Sequence, residues 1–191
     1  MPGQRIGSFV AAVFGLIYAW VNSAPLLAPG MWLVRIPAAI AFVAIGVAVT
    51  PRPADRVPHG AGRPGRGGAV VYPRSFWIIT AAEVVALFGG LSVLNNVLHR
   101  PEAGVAWVSV VVGMHFLPLG RLFRQRFFSV LGWAVAACGV VGLVLAVAGA
   151  PTWGIAAVSG VVPGALLLAA GGWGSRRRPT APFAPASITT A

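Results

Sequence analysis

Residues 127–149 read FFSVLGWAVAACGVVGLVLAVAG, a long run in which no side chain carries a charge. An α-helix rises about 1.5 Å per residue and the hydrocarbon layer is about 30 Å thick, so roughly 20 such residues cross a bilayer. The sequence contains six blocks of this kind, at residues 6–27, 31–50, 75–98, 104–119, 127–149 and 153–174. It therefore predicts an all-α polytopic membrane protein: six transmembrane helices, paired as three hairpins, in one bundle over residues 1–174.

The composition agrees with this class. Hydrophobic residues make up 58% of the 191 residues and charged residues only 9%, which is too little charge to cover a soluble fold. The formal net charge of +11 raises the alternative of a nucleic-acid-binding protein. The arginines argue against nucleic acid, because they cluster in the gaps between apolar blocks, as they do on the cytoplasmic side of membrane proteins.

The positions of the arginines predict the topology. With six spans, all of them except Arg35 and Arg100 fall on one side of the membrane. This asymmetry predicts a multi-pass protein of the cell's inner (plasma) membrane with both termini in the cytoplasm. The expected partners are the lipid bilayer and the anionic headgroups that meet the cytoplasmic arginines.

Two segments outside the blocks are rich in proline and small or polar residues. The loop at 51–74 is expected to lie on anionic headgroups, although its GRPGRGG piece also resembles RNA-contacting arginine-glycine segments. The tail at 175–191 is expected to be a disordered cytoplasmic segment. Together they support a second functional hypothesis, a non-transporting module that senses, scaffolds or responds to stress through this loop and tail.

Glu83 is the candidate proton-binding group. Counted from residue 75, it lies about 12 Å inside the third block, too deep for so short a side chain to reach the interface. It must face protein or water, or be protonated. A carboxyl that gains and loses a proton suits a coupled transporter, whereas a neutral carboxyl bonded to a neighbouring helix is the structural alternative.

His115 descends the fourth block to a similar depth, and consecutive spans of a hairpin are usually neighbours. A contact between Glu83 and His115 is therefore one expectation. The other is that His115 donates to a backbone carbonyl left open by Pro118, which has no N–H.

Further polar residues lie towards the predicted outer side. Arg35 is expected to extend its guanidinium to the interface, with an ion pair or an anion site as alternatives. Tyr18, Asn22, Asn95 and Asn96 are candidates to line an outer vestibule, or they only satisfy loop backbone and headgroups.

Small residues recur at four-residue spacing in the sixth block, at Ala156, Gly160 and Gly164. Such a stripe lets two helix backbones approach closely. Packing within the bundle is the main interpretation and formation of a homo-oligomer is the alternative.

The run HFLPLGRLF at 115–123 resembles a segment of small multi-span membrane proteins of uncharacterised function in GC-rich bacteria. The resemblance covers about a dozen residues and fits the pattern HFxPLxxxF. It implies a bacterial inner-membrane protein and carries no activity or substrate.

The sequence predicts no cofactor and no metal site, and Cys138 is the single cysteine. It contains no HExxH, GxSxG or Walker pattern, so an enzyme is the third and weakest class. The leading hypothesis is a small proton-linked transporter or permeation protein with Glu83 and His115 at its centre.

Overall fold

A computed structural model describes residues 2–50, 74–122 and 126–176. The predicted loop at 51–74 therefore lies outside the described residues except for Arg74, and so does the tail beyond Arg176. No strand occurs in the described part, which confirms the expected all-α class. Its six helices are α1 (Pro2–Asn22), α2 (Ala28–Val49), α3 (Arg74–Ser92), α4 (Gly104–Leu122), α5 (Arg126–Val147) and α6 (Thr152–Arg176).

Four helical segments are long and apolar enough to cross a membrane. They are Ala28–Val49, Trp77–Val97, Arg126–Val147 and Thr152–Arg176. The third consists of most of α3 and the π-helical turn Val93–Val97 that continues it. In α1 the apolar part is the shorter segment Gly7–Asn22. These segments indicate a membrane protein.

Several helix ends differ from those expected from hydropathy. The first helix ends at Asn22 instead of continuing to residue 27, because Pro25 disfavours helical backbone in the residue before it. The next helix begins at Ala28, with a proline in its first turn, where the missing N–H costs nothing. Helix α4 continues through Pro118 to Leu122, past the expected end at residue 119.

The most extensive packing joins α4 with α5, which follow one another along the chain, and α1 with α6, which are distant in sequence. Both pairs are antiparallel. Ala106 and Gly113 of α4 face Gly139 and Gly132 of α5 in that order. Ser8 and Ala19 of α1 likewise face Gly171 and Gly164 of α6. Helix α2 packs on α1 and α6, whereas the main contacts of α3 are with α4.

The small-residue stripe of α6 lies against α1. A Cβ atom added to Gly164 would be 2.8 Å from the Ala19 nitrogen and 3.0 Å from the Gly15 carbonyl oxygen. Gly160 packs against the Asn22 side chain, and Ala156 is buried. Close backbone approach gains dispersion energy where lipid removes the hydrophobic driving force. Within the described chain, α1 therefore occupies the surface that a second copy would need, and the homo-oligomer stays a prediction.

Candidate functional site: a carboxyl and an imidazole between two helices

Glu83 and His115 meet between α3 and α4. The Oε2 atom of Glu83 is 2.7 Å from Nδ1 of His115. At 1.5 Å per residue, Glu83 is about 13 Å from the start of α3 at Arg74, and His115 is about 10 Å from the end of α4 at Leu122. Both side chains therefore lie near the middle of their helices.

The register of the two helices explains this contact. Trp107 packs its indole against Gly90 and donates a hydrogen bond from Nε1 to the Ala86 carbonyl oxygen, at 3.0 Å. Residues 83, 86 and 90 share one face of α3 because they are spaced by three or four. In an antiparallel pair, the contact of Gly90 with Trp107 places Glu83 opposite His115. The indole contact therefore fixes the register on which the carboxyl–imidazole contact depends.

The geometry of the pair is that of a close electrostatic contact. Nδ1 of His115 makes no hydrogen bond of good geometry, so the two atoms are near each other but poorly aligned. The side chains of His115 and Glu83 keep 18% and 23% of their surface exposed. The contact is an ion pair when the imidazole carries its second proton, and its charge changes with each proton gained or lost.

The alternative expectation for His115 was a bond to a carbonyl freed by Pro118. In the described part of the chain, Nδ1 of His115 makes no hydrogen bond to a backbone carbonyl and lies beside the Glu83 carboxyl instead. Its ring lies edge-on to Phe116, with centroids 6.3 Å apart. The structure therefore favours the pairing with Glu83 over the capping of a helix carbonyl.

A second group of polar side chains lies deep between α1, α4 and α6. Ser109 and Ser159 are fully buried, and the Ser109 hydroxyl donates a hydrogen bond to the Ser159 carbonyl oxygen. The hydroxyl of Tyr18 is buried beside Ser109, without a hydrogen bond of good geometry. We call Tyr18, Ser109 and Ser159 the hydroxyl cluster.

A π-helical turn, Ala157–Val161, presents the α6 part of this cluster. The extra residue in such a turn changes the hydrogen-bonding pattern of the helix, and π-turns are frequent at functional sites. The Ser159 hydroxyl donates to the Cys138 carbonyl oxygen at 3.4 Å and lies against Gly142 of α5. Glycine at 142 leaves the space that the Ser159 side chain fills.

Asn22, expected to share a vestibule with Tyr18, donates its amide to the Tyr18 carbonyl oxygen at 2.8 Å. The other two vestibule candidates, Asn95 and Asn96, are exposed on the turn after α3, and Asn96 bonds Ser92 at 3.2 Å. Among the described residues, no hydrogen bond links the two asparagine groups. The structure therefore joins Asn22 to Tyr18 by a hydrogen bond and shows no such bond from either of them to Asn95 or Asn96 in the described residues.

Arg35 holds the turn between α1 and α2. Its Nε donates to the Ser23 hydroxyl at 3.1 Å, and its Nη2 donates to the Trp20 carbonyl oxygen at 3.2 Å. The guanidinium lies 4.9 Å from the centroid of the Trp20 ring. A positive charge at the carbonyl end of α1 also complements the helix dipole. These contacts give Arg35 a structural role, and no acidic side chain among the described residues forms the ion pair of the alternative interpretation.

We expect Arg35→Leu to lower the free energy of unfolding by about 2 kcal/mol, because two hydrogen bonds from a charged donor and a cation–π contact are lost. Thermal unfolding in detergent measures the effect. Arg126→Gln, at an exposed position, is the control. An equal change in the two variants would contradict the structural role of Arg35.

Sequence reasoning missed the buried serines of the hydroxyl cluster. Ser109 lies inside an apolar block, and its signal is only that a polar residue interrupts the run. The described residues contain no group of three or more His, Cys, Asp or Glu side chains arranged to hold a metal ion.

No family model matches the chain, and neither a curated protein nor a solved structure matches it. The resemblance of residues 115–123 to small bacterial membrane proteins therefore stays a prediction.

Proposed function

We propose that the chain is a six-span membrane protein that moves protons, alone or coupled to a small solute, through the pair formed by Glu83 and His115. The observation that carries the proposal is the 2.7 Å contact between two titratable side chains near the middle of α3 and α4. Ionisable groups at membrane depth are costly and are characteristic of proton relays.

The packing supports six spans. Helix α4 contains 19 residues, which corresponds to about 28 Å, and the apolar segment Gly7–Asn22 of α1 corresponds to about 24 Å, so both approach the thickness of the hydrocarbon layer. Each packs antiparallel against a helix that is itself long and apolar enough to span. With six spans, the arginine-rich segments and both termini lie on the cytoplasmic side of the inner membrane.

The charge of the pair provides the driving force for a conformational change. With one shared proton the pair is neutral overall; loss of that proton leaves one negative charge, and gain of a second leaves one positive charge. In an apolar bundle these states differ strongly in their need for water. Binding or release of a proton therefore changes which side of the membrane the Glu83 carboxyl is exposed to.

Helix α3 is the element best placed to move when the charge of the pair changes. In the part of the chain that the structure describes, none of its spanning residues is buried, and its main contacts are with α4. A peripheral helix held by one neighbour changes its position at lower cost than a helix packed on all sides. Movement of α3 relative to α4 would open or close the contact between Glu83 and His115.

The hydroxyl cluster supplies groups on the predicted outer side of the pair. Each hydroxyl accepts a proton on its oxygen and releases its own, so it is unchanged after the transfer. The Tyr18 hydroxyl, which is buried without a hydrogen bond of good geometry, is the member of the cluster suited to exchange a proton with the pair through water. This arrangement supports an outward proton route through Tyr18 and Ser109.

The test is proton flux in liposomes that contain the purified protein and a pH-sensitive dye. Under an imposed pH gradient, the protein should dissipate the gradient faster than protein-free liposomes, with or without a small solute added. Failure to move protons or small solutes would contradict the proposal and favour the alternative of a non-transporting module.

A further inference from the structure

A groove runs along the outside of the bundle between α2 and α6, far from the carboxyl–imidazole pair. Its volume is about 920 Å³, and Ala19 of α1 contributes to its floor. Small side chains from both helices form its walls. They include Pro37, Ala41, Ala44, Ala165 and Ala169.

The sequence explains why the groove is open. Alanine and proline side chains are too short to fill the gap between two helices that both pack on α1. Pro37 also lies inside α2, where it removes a backbone hydrogen bond to Leu33 and favours a bend. Leu33 and Pro37 both line the groove, so the weakened turn is part of its wall.

The length of the groove exceeds one leaflet. Along α6 it extends from Val161 to Arg176, which is about 22 Å at 1.5 Å per residue. Half of the hydrocarbon layer is about 15 Å thick. An extended acyl chain that enters at the Arg176 end therefore stays inside the groove across its whole leaflet.

Charge is confined to one end. Among the described residues that line the groove, only Arg176, in the last turn of α6, is charged, and Trp173 lies one turn before it. A guanidinium binds a phosphate through a fork of donors, and a tryptophan ring prefers the headgroup level of a bilayer. An apolar groove with a cation and a tryptophan at one end matches an amphiphile with an anionic head.

We propose that this groove is a binding site for one anionic phospholipid, with its phosphate at Arg176 and an acyl chain between α2 and α6. The site is separate from Glu83 and His115 and does not depend on proton transport.

Spin-labelled phosphatidylglycerol and phosphatidylcholine, each in vesicles that contain the full chain, test the site. Electron paramagnetic resonance measures the fraction of each lipid whose chain is held by the protein. We expect the protein to prefer phosphatidylglycerol by about fivefold, the value for one arginine at the membrane surface. Arg176→Gln should remove most of this preference, and Ala165→Phe should reduce the held fraction of both lipids.

Two matched control variants distinguish lipid bound in the groove from lipid held elsewhere on the surface of the protein. Arg126→Gln removes an exposed arginine from the start of α5, and Ala137→Phe adds a ring to an exposed position of α5. Both should leave the held fractions unchanged. Equal binding of the two lipids, an effect of Ala137→Phe as large as that of Ala165→Phe, or a dimer cross-linked through Ala165→Cys would overturn the proposal.

Discussion

Glu83→Gln is expected to lower proton flux in proteoliposomes by about 100-fold, because a positioned proton-transfer group typically contributes 10²- to 10⁴-fold to a rate. Glutamine has nearly the same shape as glutamate but holds no exchangeable acid proton. The substitution therefore keeps a side chain of the same shape beside Nδ1 of His115 and removes the group that binds the proton. Flux under an imposed pH gradient, measured with an internal dye, gives the ratio of the two rates.

Two controls make this result specific. Glu83→Asp keeps a carboxyl on the same face of α3 and should restore a measurable part of the flux. Glu102→Gln removes a carboxyl that pairs with Arg100 at 3.5 Å in the turn before α4, and it should leave the flux unchanged. Flux as fast through Glu83→Gln as through the wild type would remove Glu83 from the proposed pathway.

Gly113→Ala is expected to have a large effect on stability. A Cβ atom at this position would be 2.7 Å from both the Ala136 Cα atom and the Gly132 carbonyl oxygen. These are backbone atoms of α5, so no side-chain rotation relieves the clash and the helices must separate. Overpacking of this kind costs about 1 to 3 kcal/mol. The thermal unfolding midpoint in detergent should fall accordingly.

Gly46→Ala is the matched control for this substitution. A Cβ atom at Gly46 of α2 meets nothing within 4 Å. Both substitutions gain the same helix propensity, about 1 kcal/mol, so the difference between them isolates the clash. The control should keep or raise the midpoint. A midpoint for Gly113→Ala equal to that of Gly46→Ala would show that α4 and α5 do not approach as closely as described.

Counting residues in the sequence predicts a similar depth for Glu83 and His115, and their contact is one of the two expectations for His115. Each side chain interrupts an apolar block, and a fixed rise per residue gives both a similar depth. The sequence leaves open which face of each helix carries the polar group. Trp107 and Gly90 decide this by fixing the register of α3 and α4, a side-chain fit that periodicity does not contain.

Two other features are harder to predict from the sequence. They are the packing of α1 against α6 and the formation of the hydroxyl cluster. The stripe that contains Gly160 and Gly164 predicts a close helix contact but does not identify the partner helix. Ser109 and Ser159 are ordinary residues of membrane helices, and they become a cluster only because α4 and α6 lie side by side. Long-range packing, which depends on shape over the whole helix surface, decides both features.

The most direct test of the central claim is a double-mutant cycle of proton flux with Glu83→Gln, His115→Phe and the double variant. Residues that act as one unit give non-additive losses. The account predicts that each single variant loses most of the flux and that the double variant is no slower than Glu83→Gln alone. Losses that multiply, or full flux in His115→Phe, would contradict a shared proton site between α3 and α4.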